Sequence, residues 1–419
     1  MGLCRMRQGL AIVVLFLSGL LAASSIKAQG AQAPSIGQQM QALWQGEAHF
    51  QEVRRIEWWA APYSTVREGA GWFAKPMPFA DGKWYLFDHV TRLDKPSYCP
   101  GKTGDVVVRE SSDEGRTWSN PAIVAAGPGP ETAPDACGVV DGTTFYDGQT
   151  DTWHMLAQCR AAQNAGGWMM CHYARRGSSP MGPFNPDPAP AVRAGQLFSQ
   201  ICAHSGGICD PGKTVDEGTP DIVYKKDGYF YVTFHGVYFS KKPGSRLVKQ
   251  AVRGVAKTAD FHHWITSGAD LPDAPIFAWP ECQAWNPGCI GGGEASTLIA
   301  GGYQYMMIET PNVSTDCTPG QQWPIALLRT PQGSFPAWNS PLWQRFHIEP
   351  LLATSWPGPQ SKCGIQYPRW AVAGDHVYIL YEDIGFDDTT GRQKASARRL
   401  LELVPGGGPA TAVNPDAPR

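Results

Sequence analysis

Charged side chains are scarce: 17% of the 419 residues, against roughly 25% in an average soluble domain. No long run of Lys or Arg occurs, and 35 basic residues face 37 acidic ones. A phosphate backbone needs a concentrated basic face, so nucleic acid is excluded as the main partner. Beyond the first residues, no apolar stretch reaches the roughly 20 residues of a membrane span. The 11 cysteines contain no Cys-x-x-Cys pair, which argues against a zinc site. No Asp-rich loop suggests a calcium site.

Gly (47) and Pro (36) are abundant, about a fifth of the chain against about 12% on average. Both penalise helix interiors, so a helical protein is excluded. Disorder is excluded too, because 42% of the residues are hydrophobic and 16 Trp, 14 Tyr and 16 Phe supply a large core. A turn-rich, aromatic-rich, all-β protein remains.

Residues 1–28 read as a signal peptide: Arg5 and Arg7 precede an apolar run from Gly9 to Ala23. Export follows, to the periplasm or outside the cell, with no membrane attachment after cleavage. The cleaved segment removes Arg5, Arg7 and Lys27 and no acid, so the mature chain is more acidic. Ten cysteines stay, an even number that suggests disulfides in an oxidising compartment. Cys202–Cys209 and Cys282–Cys289 close short loops, and Cys159–Cys171 is placed to bridge adjacent strands.

One pattern recurs five times: a short apolar strand, a tight turn and an aromatic-rich strand. The copies lie at 76–87, 142–156, 219–234, 295–308 and 367–381. Turns such as Asp81-Gly82, Asp227-Gly228, Gly301-Gly302 and Gly374-Asp375 permit positive φ and mark hairpins. The equivalent positions Tyr85, His154, Tyr231, Tyr305 and Tyr378 recur every 69 to 77 residues. A third strand follows each copy, at 105–109, 168–173, 250–256, 325–329 and 395–401. Ser111-Ser112-Asp113-Glu114-Gly115-Arg116-Thr117-Trp118 fits the Asp-box, a hairpin stabiliser of propeller rims, and 257–264 is a degenerate echo. Asp113 is therefore read as a structural cap of the turn.

Five such repeats predict a five-bladed β-propeller with aromatic second strands between blades. The expected organisation is an N-terminal segment over 29–70 that closes the ring or packs on it, the propeller over 71–404, and a flexible tail over 405–419.

This exported, aromatic-rich five-blade pattern resembles the glycoside hydrolases of families 43 and 32 over roughly 70–402. Asp141-Gly142-Thr143-Thr144-Phe145-Tyr146-Asp147 is similar to that family's second-blade segment. Asp216-Glu217-Gly218-Thr219-Pro220-Asp221 is similar to its third-blade segment, with one extra residue between Glu and Pro. The resemblance implies that Asp141 orients and tunes, that Glu217 is the acid, and that a first-blade Asp is the base or nucleophile. The first blade departs from this: Ala74-Lys75-Pro76 stands there, and Lys cannot replace a carboxylate base. Glu68 and Asp88 are the alternative acids. Glu294, opening the fourth repeat, fits the family's Glu spacing better than Glu217 does.

Glycosidic cleavage needs one protonated carboxyl at the leaving oxygen and one carboxylate opposite. Neighbouring carboxyls push their pKa values apart. The catalytic candidates are accordingly Asp141, Glu217 and Glu294, and the substrate-binding candidates are Lys75, Asp221 and His235. The competing reading of each acid is that it opens a strand and bonds loop amides or a structural cation. Loop tryptophans Trp279, Trp285 and Trp356 could stack on sugars. No cofactor is expected; a structural calcium is implied by resemblance only. The expected function is a monomeric, exported glycosidase acting on a poly- or oligosaccharide. The alternatives are a noncatalytic carbohydrate-binding propeller and a polysaccharide lyase.

Overall fold

The computed structural model describes residues 33–56, 71–79, 81–91, 96–99, 103–127, 129–162, 167–204, 209, 214–240, 248–278, 293–309, 325–347, 351–352, 365–386 and 393–406. The signal segment, Glu68, the three loop tryptophans and Cys282–Cys289 lie outside them, as does all of the tail beyond Gly406.

Helix α1 (Ile36–Gln45) starts at a capping box, with Ser35 and Gln38 bonding each other's backbone amides, and stops at Gly46 in the left-handed region. Strand β1 (Ala48–Ile56) follows. Blade one is β2 (Gly71–Lys75), β3 (Trp84–Thr91), β4 (Gly104–Ser111) and β5 (Ala122–Ala125). Blade two is β6 (Val139–Asp147), β7 (Thr152–Cys159), β8 (Met169–Arg176) and β9 (Asn185–Pro186). Helix α2 (Phe198–Ile201) precedes blade three: β10 (Thr214–Lys226), β11 (Tyr229–Ser240), β12 (Val248–Thr258) and β13 (Trp264–Ile265). Blade four is β14 (Ala295–Ala300), β15 (Tyr303–Glu309), β16 (Ile325–Pro331) and β17 (Gln344–Arg345). Blade five is β18 (Ile365–Ala373), β19 (His376–Phe386) and β20 (Gln393–Pro405), with β1 paired antiparallel to β20 as its fourth strand.

The chain is a five-bladed β-propeller. Within every blade neighbouring strands are antiparallel. The inner strands of blades one and two add a short parallel pairing, Ala74 with Thr144 and Lys75 with Phe145. The first inner strand ends at Lys75, so the first copy of the repeat, at 76–87, begins after it. Pro76 and Pro78 have no N–H for a ladder, and 76–79 and 81–83 are not strand.

Aromatic side chains of the second strands fill the seams. Trp84 meets Tyr378 at 5.1 Å between blades one and five, and Tyr85 meets Trp153 at 5.6 Å between one and two. Phe145 meets Phe230 at 5.6 Å between two and three, and Tyr231 faces Phe335 at 6.0 Å between three and four. Trp370 donates to the Tyr305 carbonyl at 3.2 Å between four and five. Helix α1 buries Met40 and Leu43 in that last core.

Among the described residues there are three disulfides: Cys99–Cys137, Cys159–Cys171 and Cys202–Cys209. They fit an oxidising, extracytoplasmic environment. No helix among the described residues is long and apolar enough to cross a membrane. In the Asp-box, both Asp113 oxygens are occupied by Thr117, Oδ1 by its amide (2.8 Å) and Oδ2 by its hydroxyl (2.6 Å). Asp260 does the same for the amides of His262 and His263 in the degenerate copy.

Candidate active site

Three inner strands carry a bulge at one level. The pairing slips between Val140 and Gly142, between Gly218 and Asp221, and between Gln366 and Arg369. The residues in the slips are Asp141 (φ +24°), Thr219 (φ +39°) and Tyr367 (φ +57°), all non-glycine in a region that L-residues avoid. Bulges re-aim side chains and gather beside functional sites. Pro220 and Pro368 follow two of them, where a missing N–H interrupts the ladder. On blade four, Glu294 stands at this level just before β14, its carbonyl accepting the Glu309 amide at 2.9 Å.

Asp141 and Glu294 come together with a third acid, Glu309. All three are buried. Glu294 pairs with Arg369, yet neither of its oxygens receives an aligned hydrogen bond. Burial raises its pKa to about 8; Arg369 and Arg253 oppose the shift, while Asp141 and Glu309 add to it. Glu309 accepts two amides, Glu294 at 2.9 Å and Tyr367 at 2.5 Å. Burial lifts it to about 7 against those donors. The half-buried Tyr367 has its phenol pushed up, by desolvation first and then by Asp141, Glu309, Glu382 and Glu294.

Buried cations tie the blades beneath these acids. Arg369 of blade five donates to the carbonyls of Ala295 (2.9 Å) and Gly142 (3.1 Å) as well as facing Glu294. Arg253 of blade three reaches the carbonyls of Thr219 and Gly293, both at 2.9 Å. Its pKa falls to about 10 through burial, which the acids Glu294 and Asp221 oppose. Lys75 pairs with Asp221, whose other oxygen accepts the Thr297 amide at 2.9 Å. Burial lowers the Lys75 pKa, Asp221 resisting.

Glu217, His235 and Asp88 have other partners. Glu217 accepts the amides of Leu197 (3.0 Å) and Phe198 (2.8 Å) at the start of α2. Its pKa is about 7, raised by burial and restrained by those amides. His235 Nδ1 bonds the Thr219 hydroxyl at 2.7 Å. Asp88 pairs with Arg398 at 2.7 Å, between blades one and five.

Glu309, Tyr367, Arg369 and Arg253 were not among the sequence candidates. Two signals could have found three of them. Tyr367-Pro368-Arg369 repeats the form of Thr219-Pro220-Asp221. Four positions after each repeat's reference residue stands a polar side chain: His89, Gln158, His235, Glu309 and Glu382, all buried. Arg253, on a third strand, has no such mark.

Among the described residues, no group of three or more His, Cys, Asp or Glu is arranged to hold a metal ion. A separate cavity of 560 Å³ lies on blade two between Glu131 and Arg193 and contains none of these acids.

No family model matches the sequence, and no curated protein matches it. Solved structures do. One described as a BT0996 RGII complex is 12% identical with a TM-score of 0.56, covering 91% of this protein and 98% of that one. One described as "Glycoside hydrolase" is 12% identical with a TM-score of 0.57, covering 91% and 97%. An alpha-L-arabinofuranosidase from Lactobacillus brevis is 11% identical with a TM-score of 0.50, covering 81% and 93%. The fold is that of the five-bladed propeller glycoside hydrolases. At these identities the likeness speaks for the fold alone, and the chemistry rests on the residues.

Proposed function

We propose that this chain is an exported glycoside hydrolase acting on a poly- or oligosaccharide, with Glu294 as proton donor and Asp141 as its partner carboxylate. The observation that carries this reading is the coupling of Glu294 to Asp141 at one level of the inner strands, with burial holding a proton on Glu294 up to about pH 8. A buried carboxyl that keeps its proton beside a second acid is the arrangement acid-assisted glycosidic cleavage uses. Glu294 gives its proton to the glycosidic oxygen as the anomeric carbon–oxygen bond breaks. Asp141 then favours the positive charge developing on the sugar or takes a proton from the attacking water. One structural neighbour is described as an RGII complex, which supports a carbohydrate as ligand.

One observation favours binding without catalysis. The largest charges acting on Glu294 come from Arg369, Asp141, Glu309 and Arg253, on blades two to five. Blade one contributes Lys75, committed to Asp221. A screen of the secreted protein against aryl glycosides and polysaccharides, with Glu294→Gln and Asp141→Asn alongside, separates the two. Hydrolysis abolished by Glu294→Gln supports the enzyme. Saccharide binding without turnover by the wild type selects the binding propeller, and turnover untouched by both changes removes these residues from the mechanism.

A further inference from the structure

Two of the five polar second-strand residues do the same job across a seam. Gln158 of blade two accepts the amide of Thr219, the bulge residue of blade three, at 2.8 Å. Glu309 of blade four accepts the amide of Tyr367, the bulge residue of blade five, at 2.5 Å. Holding a bulge therefore needs one acceptor oxygen and no charge, as Gln158 demonstrates. Glu309 brings both a charge and a second oxygen, and that oxygen accepts the amide of Glu294 at 2.9 Å.

We propose that Glu309 is the positioning residue of this site: one carboxylate, shared between amides on two adjacent blades, sets where Glu294 and Tyr367 stand relative to each other. The proposal rests on the reading of Glu294 as the acid. It also accounts for which carboxyl holds the proton. Two N–H donors favour the ionised form of Glu309. Burial first, and then the neighbouring acids Asp141 and Glu309, hold the proton on Glu294 against Arg369 and Arg253, and no aligned donor favours its ionised form. The remaining groups around the pair are Arg369 and Tyr367 of blade five, Glu382 of the same blade, and Arg253 of blade three. A glutamine at 309 could still hold Tyr367 as Gln158 holds Thr219. It would present one acceptor instead of two and no charge.

The test compares wild type with Glu309→Gln and Glu309→Asp. The readouts are kcat and KM on a substrate from the screen, and the titration of the Glu294 carboxyl by carbon-13 NMR, assigned with Glu294→Gln. Glu309→Gln is expected to fold, to lose from about tenfold to about a hundredfold in kcat with KM held within about twofold, and to lower the Glu294 midpoint by removing a negative neighbour. Glu309→Asp keeps the charge but is one methylene too short for both amides. Its kcat should fall while the Glu294 midpoint stays near wild type. Unchanged kcat and midpoint in Glu309→Gln would overturn the proposal, as would full activity in Glu309→Asp. Should neither variant fold, hydrogen exchange on the wild type decides. The Glu294 and Tyr367 amides should lose protection together as Glu309 is protonated, and independent behaviour counts against the proposal. Should the wild type hydrolyse nothing, the hydrolase reading alone falls and hydrogen exchange tests the role: weaker protection of both the Glu294 and the Tyr367 amide in Glu309→Asp supports positioning, and unchanged protection of either overturns it.

Discussion

Glu217 and Glu294 make an instructive pair. Each lies at the start of an inner strand, on blades three and four, and both are buried. Burial raises both pKa values, to about 7 and about 8. The partners differ. Glu217 spends its oxygens on the amides at the start of a short helix, which is what a carboxylate does at such a terminus. Glu294 has no aligned donor and sits among Asp141, Glu309 and a shared Arg369. A raised pKa thus reports burial, and the company a carboxyl keeps separates a fold-holding acid from a candidate proton donor.

The sharpest test of that contrast is activity. Glu294→Gln should lower kcat on a reactive aryl glycoside by about 10²- to 10⁴-fold, the usual contribution of general acid–base catalysis. Glu217→Gln should stay within about threefold once the folded fraction is matched, since it retains an oxygen for the α2 amides. Steady-state kinetics on both variants decides. A large loss in Glu217→Gln with none in Glu294→Gln would invert the assignment.

How much of this was legible follows from register. The five repeats are visible because hairpin turns and aromatic second strands return every 69 to 77 residues. Asp141 and Glu294 are visible for the same reason: they stand 13 and 11 residues before His154 and Tyr305, and the turn at 148–151 is two residues longer than Gly301-Gly302, which brings them to one level. On blade three the count fails at the bulge. Thr219 and Pro220 are taken up in the slip between Gly218 and Asp221, so Thr219 holds the level of Asp141 and Glu217 is carried past it toward α2. A bulge leaves no periodic trace, and neither does the direction of the re-aimed side chain. Tyr367 was hidden by the equivalent bulge on blade five. Glu309 was hidden differently: its role depends on contacts made across a seam, which no spacing within one repeat encodes.

Stability should separate the two glutamates in the opposite sense. Glu217→Ala leaves the Leu197 and Phe198 amides without their acceptor in a buried setting, a loss of about 1–3 kcal/mol. Glu294→Gln removes a buried acid that has no aligned donor, and should change the unfolding free energy by no more than about 1 kcal/mol. Urea unfolding below about pH 4.5, where both carboxyls are protonated in the folded and unfolded chain, measures both. Equal losses would mean that Glu294 also holds the fold.

The smallest difference between the two glutamates is in where their pH dependence ends, and it reads the two protons directly. Both folded pKa values lie above the ordinary 4.5, so the folded state binds more protons than the unfolded chain. Below about pH 4.5 both states are protonated and each group's contribution is whole. As pH rises, the unfolded chain ionises first and stability is lost, up to about pH 7 for Glu217 and about pH 8 for Glu294. Carboxylates lowered by partners, such as Asp147 and Asp270, act with the opposite sign, but they cancel when a variant is subtracted from wild type. The wild-type-minus-variant curve for Glu217→Gln should therefore flatten near pH 7, and that for Glu294→Gln should keep falling to about pH 8. The two curves diverge only over the last interval. A Glu294 curve flat from pH 5 to 8 would mean that the carboxyl is already ionised in the folded protein, leaving it no proton to give a glycosidic oxygen.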